Sequence, residues 1–351
     1  MAKAAAKEVD INEEVQNRLA EADLAQRVRM LDQSADIDVS CTPTGLLRLD
    51  KLMHKDKLGL AEGRDIEIHS DDSEVGKTSL ALQIGAAWQA AGKLVAICDV
   101  AGTITVPYML KRGFTIDRKS NLYMPLWVET QDENGGPKSA EDILDNIRSL
   151  VNIVDLIIVD DVPCLIQSAD LEKDADENSQ TGGIAKHLTQ HMRKTTHKKA
   201  TVIWINQRRE KIGRTMPGMP AKKKSMAGEA IPFWSSIRLT LTRTGKIETG
   251  SDDNKESIGM KVKVYSEKNK VSPPFKSTIL TYLDEDGFSP VYDYFDIAKK
   301  ADIIKQNKAM FVYGEHNIRG EWNFYKKMKE DPTLFEAIKK DVHEQVLGAG
   351  T

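Results

Sequence analysis

Apolar positions along the chain follow three patterns. Within residues 9–31 they recur at Val15, Leu19, Ala22, Leu24 and Val28, the spacing of an amphipathic helix. Such a helix cannot cover its own apolar face, so it must dock on its own core or on a neighbour. Next, solid apolar runs at 66–68, 94–100, 154–159 and 201–205 alternate with helical stretches at 78–91, 140–150 and 183–196. Solid rather than alternating runs predict a mainly parallel sheet covered on both faces. In such sheets function gathers at the carboxyl ends of the strands. Beyond these, 237–241, 259–265 and 278–282 alternate as half-exposed strands do, and from residue 288 the pattern is helical again, with a lysine-rich end at 322–346. The expected organisation is an N-terminal helix and linker at 1–38, an α/β core at 39–285 and a small C-terminal domain at 286–351.

Charge narrows the partners. Among 351 residues, 50 Lys and Arg face 53 Asp and Glu, a formal charge of −3. That excludes a chain that is basic everywhere but leaves room for a local basic strip. Three scattered cysteines, Cys41, Cys98 and Cys164, argue against a disulfide framework or zinc cage and for a reducing compartment. No apolar run reaches membrane-spanning length, and the start, MAKAAAKEVD, lacks a signal core. A cytoplasmic location is expected.

The strongest local chemistry is at residues 70–80, SDDSEVGKTSL. Gly76, Lys77 and Thr78 between a strand and a helix can cradle a triphosphate, with backbone N–H groups at the helix start, Lys77 on the outer phosphates and Thr78 on magnesium. Asp71 occupies the place of the first glycine of the usual motif. Asp71 and Asp72 add negative charge there, and the candidate cradle runs from Asp71 through Ser73, Glu74 and Val75 to Ser79. The run at 154–161 ends in two acids, so Asp160, or Asp161 if the register slips by one, can support the metal. Asp99 is the candidate for orienting an attacking water. Gln207, with Asn206, is placed to sense the outer phosphate through hydrogen bonds.

Two regions suit a polyanion. Residues 213–230, GRTMPGMPAKKKSMAGEA, read as a long loop carrying Arg214, Lys222, Lys223 and Lys224. Lysines there would contact phosphates and give strength rather than sequence choice. Lys186 and Arg193 share a helix face, although the preceding loop is acidic. His187 and His191 are spaced as zinc ligands can be, but no third ligand is evident, and a solvated or packed helix face is the plainer reading. Lys268 and Lys270 flank Asn269 in a second candidate anion site.

Taken together, these motifs resemble the RecA-type recombinase family, whose members polymerise on single-stranded DNA with ATP and pair it with homologous duplex. The similarity rests on TGLLRLD at 44–50, the phosphate loop, DLIIVDDV at 155–162, GIAKHLTQHMRK at 183–194, INQRREKIG at 205–213, AGEAIPFWSSIRL at 227–239 and KNKVSPPFK at 268–276, in the family's order. It implies a RecA-like P-loop ATPase core with a mainly parallel sheet, an N-terminal polymerisation helix and a small C-terminal α/β domain. The implied cofactors are ATP and Mg2+, and the implied partners are single-stranded and duplex DNA and further copies of the chain in a helical filament.

Residue by residue, the resemblance implies that Tyr108 stacks on adenine, Gln207 links the γ-phosphate to the second DNA loop, and Lys268 and Lys270 reach ATP on the adjacent subunit. Phe233 falls at the subunit boundary. Arg193 and Gly228 contact the DNA backbone, and Arg208 leads into the second loop. Departures stand beside this. The family's catalytic glutamate aligns with Ala101, the first phosphate-loop glycine is absent, and Ser266 and Glu267 are extra. They imply a diverged member of the kind a phage encodes, acting in the host cytoplasm or nucleoid with weak or absent hydrolysis. Three functions follow: a recombination filament, a structural or regulatory paralogue that assembles without strand exchange, and a nucleotide-driven DNA motor.

Overall fold

The computed structural model describes residues 39–54, 56–171, 183–210, 223–225, 228–249 and 256–348, with positions 18, 20 and 21. The chain divides into two units, Met1–Val39 and Ser40–Thr351. In the first, Arg18, Ala20 and Glu21 are helical. The rest of the expected helix and linker lies outside the described residues.

In the second unit a short antiparallel pair, β1 (Cys41–Thr42) and β2 (Leu60–Ala61), flanks helix α1 (Leu47–Met53). The strands of the main sheet are β3 (Asp65–Ser70), β4 (Val95–Asp99), β5 (Leu126–Trp127), β6 (Leu156–Asp160), β7 (Thr201–Glu210), β8 (Lys223–Ser225), β9 (Ile237–Thr249), β10 (Glu256–Asn269), β11 (Ser277–Leu283) and β12 (Gly287–Phe288). Their order is β12–β11–β10–β9–β3–β7–β6–β4–β5, with β8 on β7. The six strands from β9 to β5 are parallel, and β8, β10, β11 and β12 are antiparallel additions.

β4 and β6 are buried along their whole length, which is why they read as solid apolar runs. Helix α2 (Lys77–Ala90) packs against β3, β6 and β7. α3 (Val106–Lys111) follows β4 and is capped by the Thr105 side chain, which accepts from Tyr108 N. α4 (Ala140–Leu150) is capped by Ser139, whose Oγ accepts from Asp142 N at 3.1 Å. α5 (Ser168–Leu171), α6 (Gly183–Lys194) and α7 (Ala230–Trp234) complete this part of the chain. Ile143, Leu188, Met192 and Ile231 from α4, α6 and α7 share a core with Val159 and Trp204 of the sheet.

The C-terminal part holds α8 (Pro290–Lys300), a three-stranded antiparallel sheet of β13 (Lys305–Asn307), β14 (Met310–Tyr313) and β15 (His316–Arg319), then α9 (Glu321–Glu330) and α10 (Pro332–Val342). Ser289 caps α8 and Asp331 caps α10, each directly before a proline. Phe295, Phe311, Phe324 and Ile338 form its core. The small sheet escaped the pattern reading because β13 is fully exposed and carries no alternation.

Two further differences bear on function. β9 and β10 continue well past their apolar segments as a long, largely polar hairpin. Register shifts occur along it, one of them between Ser266 and Lys268, so Glu267 sits in a bulge. Lys223 and Lys224, expected in a loop, instead lie on β8, paired with Glu210 and Arg209 of β7. β7 runs beyond its parallel neighbours, and its protruding backbone groups need a partner.

Arg48 of α1 ties the C-terminal part to the core. Its Nε lies 2.5 Å from Asp293 Oδ1 and its Nη1 2.5 Å from Asp296 Oδ2. Arg48 N also donates to Asp293 Oδ2 at 3.1 Å. Removing Asp293 takes away two hydrogen bonds from Arg48 and leaves its guanidinium with Asp296 alone. Asp293→Ala should therefore lower unfolding stability by about 2 kcal/mol in urea denaturation. A loss below about 1 kcal/mol would mean water replaces the carboxylate freely.

Candidate nucleotide-binding site

Parallel register brings the candidate residues to one edge. Ser70 at the end of β3 lies beside Gln207 of β7, and Asp99 of β4 lies beside Asp160 of β6. Residues 71–76 cross from β3 to α2, and Gly76 caps that helix with φ 81°, a conformation suited to glycine. Ser70 is fully buried, accepts from Asp72 N at 3.0 Å and donates to Leu241 O at 2.8 Å. It shapes the turn where the usual motif has a glycine. Asp71, Asp72, Ser73 and Glu74 are exposed, whereas Val75 is buried. The acidic side chains are thus solvated, which limits their cost beside a polyanion.

A cavity of about 600 Å3 opens over this loop. Its lining includes Ser73, Glu74, Gly76, Lys77, Thr78 and Ser79 from the loop and helix start, with Asp160, Asp161 and Gln207. An adjoining cavity is lined by Asp71, Asp72, Val75, Gln207 and Arg243. Lys77 is buried, and its Nζ lies 3.4 Å from Asp72 O and 3.5 Å from Ser73 O. Burial holds its pKa down, opposed by Asp161, Asp160 and Asp72.

Asp160 is pushed up to about 6, first by burial and then by Asp161 and Asp99, against a hydrogen bond from Thr78. Asp161 is also raised to about 6 by burial, against the pull of Lys77. Asp160 Oδ2 and Asp161 Oδ1 are buried without hydrogen-bond partners. Orphaned carboxylate oxygens beside a hydroxyl and an ammonium fit a cation and a polyanion bound together. Among the described residues no group of three or more His, Cys, Asp or Glu side chains converges as a metal site. A cation held by Thr78 and Asp160 would take its remaining ligands from phosphate and water, as Mg2+ does.

Asp99, expected to orient water, leaves its Oδ1 buried without a hydrogen-bond partner. It is buried and is not part of the cavity lining. Its Oδ2 accepts from Ile104 N at 2.7 Å, so it shapes the loop after β4. Ala101 does line the cavity and offers no acid.

Tyr108 lines the same cavity, and its hydroxyl is 2.5 Å from Ser79 Oγ. Tyr282 lies there too. Tyr282 and Arg243, which the sequence does not single out, also line these cavities, and Asp161 lines the first beside Asp160. Tyr282 and Arg243 belong to alternating strands far along the chain, and no local motif marks them. The second acid of VDD was the one available signal for Asp161.

Lys268 and Lys270 are elsewhere. Asn269 pairs with Ile237, which pairs with Ile66 near the start of β3, the end of the sheet opposite the phosphate loop. Lys268 Nζ donates to Pro232 O at 3.1 Å and Phe233 O at 2.8 Å. Phe233 and Phe275 close by are each 71% exposed.

The DNA candidates divide. Lys186 and Arg193 are exposed on α6. Gly228 packs on that helix, since a Cβ there would lie 2.8 Å from Ala185 Cβ. Arg214 and Lys222 lie outside the described residues. Arg208 is not a free cation: its Nη2 lies 2.5 Å from Glu267 Oε2 and 2.8 Å from His69 Nε2. Glu267 is held down at about 2 by the His69 hydrogen bond, with Arg238 and Arg208 adding to it against burial. His187 pairs with Glu141 at 3.2 Å, and His191 packs edge-on to Trp204, as a packed helix face predicts.

A strand–loop–helix turn opposite paired strand-end acids, at the carboxyl edge of a mainly parallel sheet, defines an α/β fold of the ATPase class. The model of the RecA N-terminal domain matches residues 17–289. Protein RecA of Chlorobaculum tepidum is 34% identical over 331 residues, covering 92% of this chain and 89% of that one. Protein RecA of Lactococcus lactis subsp. cremoris is 33% identical over 317 residues, covering 89% and 77%. This chain belongs to the RecA family. These relatives are bacterial and do not bear on the expected phage origin. A KaiC-like protein from Pyrococcus horikoshii aligns with a TM-score of 0.45 and 13% identity, over 71% of this chain and 98% of that one. Among the described residues no helix is long and apolar enough to cross a membrane.

The raised acids set a pH dependence. A carboxyl whose pKa rises on folding favours the protonated form, so its stabilising contribution is complete below 3.8 and lost as pH rises through about 6. Asp160→Asn makes one site permanently neutral. With EDTA and no nucleotide at pH 7, it should stabilise the chain by about 1–3 kcal/mol in a thermal melt. A lower melting temperature would contradict the burial argument.

Proposed function

We propose that this protein is an ATP- and Mg2+-dependent filament protein that binds single-stranded DNA and pairs it with homologous duplex in recombination or repair. Lys77, Gly76 and backbone N–H groups at the start of α2 hold the triphosphate, and Thr78 and Asp160 hold Mg2+. Gln207 senses the γ-phosphate, and Tyr108 meets the base. ATP hydrolysis is weak, because position 101 offers alanine where water must be activated.

The observation that carries this reading is the separation of Lys268 and Lys270 from the phosphate loop, at opposite ends of one sheet. They can serve a triphosphate only on another copy, which calls for a head-to-tail arrangement. Such heterologous contacts build open helical filaments when the rotation does not close. Exposed Phe233 and Phe275 beside Lys268 support this, as do Leu126 and Trp127 on the exposed edge strand β5. The amphipathic residues 9–31 are suited to docking on a neighbour. Lys186 and Arg193, with Arg214, Lys222, Lys223, Lys224 and the backbone at Gly228, would follow the DNA phosphates. Arg208 is left out of that set by its pairing with Glu267.

Electron microscopy with single-stranded DNA and a non-hydrolysable ATP analogue should show helical filaments. In fluorescence anisotropy, Lys77→Ala should bring DNA affinity in ATP down to its nucleotide-free level. Isolated particles at every salt and nucleotide condition would overturn the proposal.

Ala101 in the cavity lining favours a second reading, a structural or regulatory member that assembles without strand exchange. If the missing carboxylate is the one defect, Ala101→Glu should raise phosphate release roughly 10-fold or more. No gain, together with nucleotide-indifferent assembly, would support the second reading.

A further inference from the structure

Behind the nucleotide cavity lies a buried charge that no motif marks. Arg112 follows the end of α3 and is 3% exposed. Its guanidinium carbon lies over two aromatic rings, 4.9 Å from the Tyr108 centroid and 5.7 Å from the Tyr282 centroid. Its Nε and Nη1 are buried without hydrogen-bond partners. Among the described residues no carboxylate pairs with it. An unpaired buried cation is costly, and two ring faces offset part of that cost.

The surroundings are built for it. Gly287 has φ 70°, and a Cβ there would lie 2.3 Å from Arg112 Nη1. Tyr282 packs edge-on to Phe288 with centroids 5.3 Å apart. A Cβ on Gly76 of the phosphate loop would lie 3.1 Å from Phe288 and 3.2 Å from Tyr282. At the other end, Tyr108 is tethered to Ser79 on α2. The stack thus runs from the start of α2 through Tyr108, Arg112, Tyr282 and Phe288 back to Gly76. Both tyrosines line the cavity, whereas Arg112 does not.

We propose that Arg112 is the positioning residue of a nucleobase subsite, holding Tyr108 and Tyr282 in place so that their exposed surfaces are ready for the base. This rests on the reading of the cavity as a nucleoside triphosphate site. Prepaid ordering of two aromatic side chains strengthens base binding and leaves phosphate binding alone.

Titration of the full-length chain with ATP and with inorganic tripolyphosphate, both with Mg2+, separates the two contributions. Arg112→Met should weaken ATP binding roughly 3- to 30-fold and leave tripolyphosphate within about twofold. Arg112→Lys, which keeps a cation, should lose less ATP affinity and no tripolyphosphate affinity. Should Arg112→Met fail to fold, Arg112→Lys carries the comparison. Equal losses on both ligands, or unchanged ATP affinity, would overturn the role of Arg112 alone. A wild-type chain that binds neither ligand would overturn the triphosphate reading and this one with it.

Discussion

The site depends on a cost accepted at the carboxyl edge of the parallel sheet. Lys77, Asp160 and Asp161 are gathered where water is partly excluded, and each is moved toward its neutral form. Mutual attraction does not fully offset the lost hydration. On the proposed reading, a polyanion and a cation bound together would offset that cost. Ligand binding and stability would thereby be linked.

That edge is only one end of a polarised sheet. Parallel strands carry the phosphate loop, Asp160 and Gln207 to one end, while the antiparallel return of β10 carries Lys268 and Lys270 to the other. On the proposed reading, polarity within one copy becomes complementarity between copies. The same geometry explains how a chain of nearly balanced charge can have basic groups that matter, because their position rather than their number is what counts.

The divergent positions have local structural roles. Beside Asp71, where the usual first glycine is absent, Ser70 holds the turn after β3 with two hydrogen bonds. Glu267, in its bulge, joins β10 to Arg208 on β7 and Arg238 on β9, with its carboxylate 3.1 Å from Arg238 Nη1. Arg208 is thereby fixed just beside Gln207, at the point where β7 leaves the nucleotide edge. Ala101 has no such compensation, since the nearby acid Asp99 lies outside the cavity lining and one of its oxygens holds the backbone of its own loop.

Sequence by itself determined the parallel core, because strands buried on both faces leave unbroken apolar runs. It also marked the candidate phosphate loop and the strand-end acids, because their residue types sit at fixed spacing beside apolar runs, and the return to a helical pattern after residue 288, because that period is local. Tertiary structure alone decided what depends on distant segments meeting. The commitment of Asp99 to Ile104 N, the capture of Arg208 by Glu267 and the convergence of Tyr108, Arg112 and Tyr282 each join positions whose neighbours in the chain say nothing about one another. The polar hairpin and the small C-terminal sheet were likewise hidden, because exposed strands are held by backbone pairing, which leaves no hydrophobic period to read.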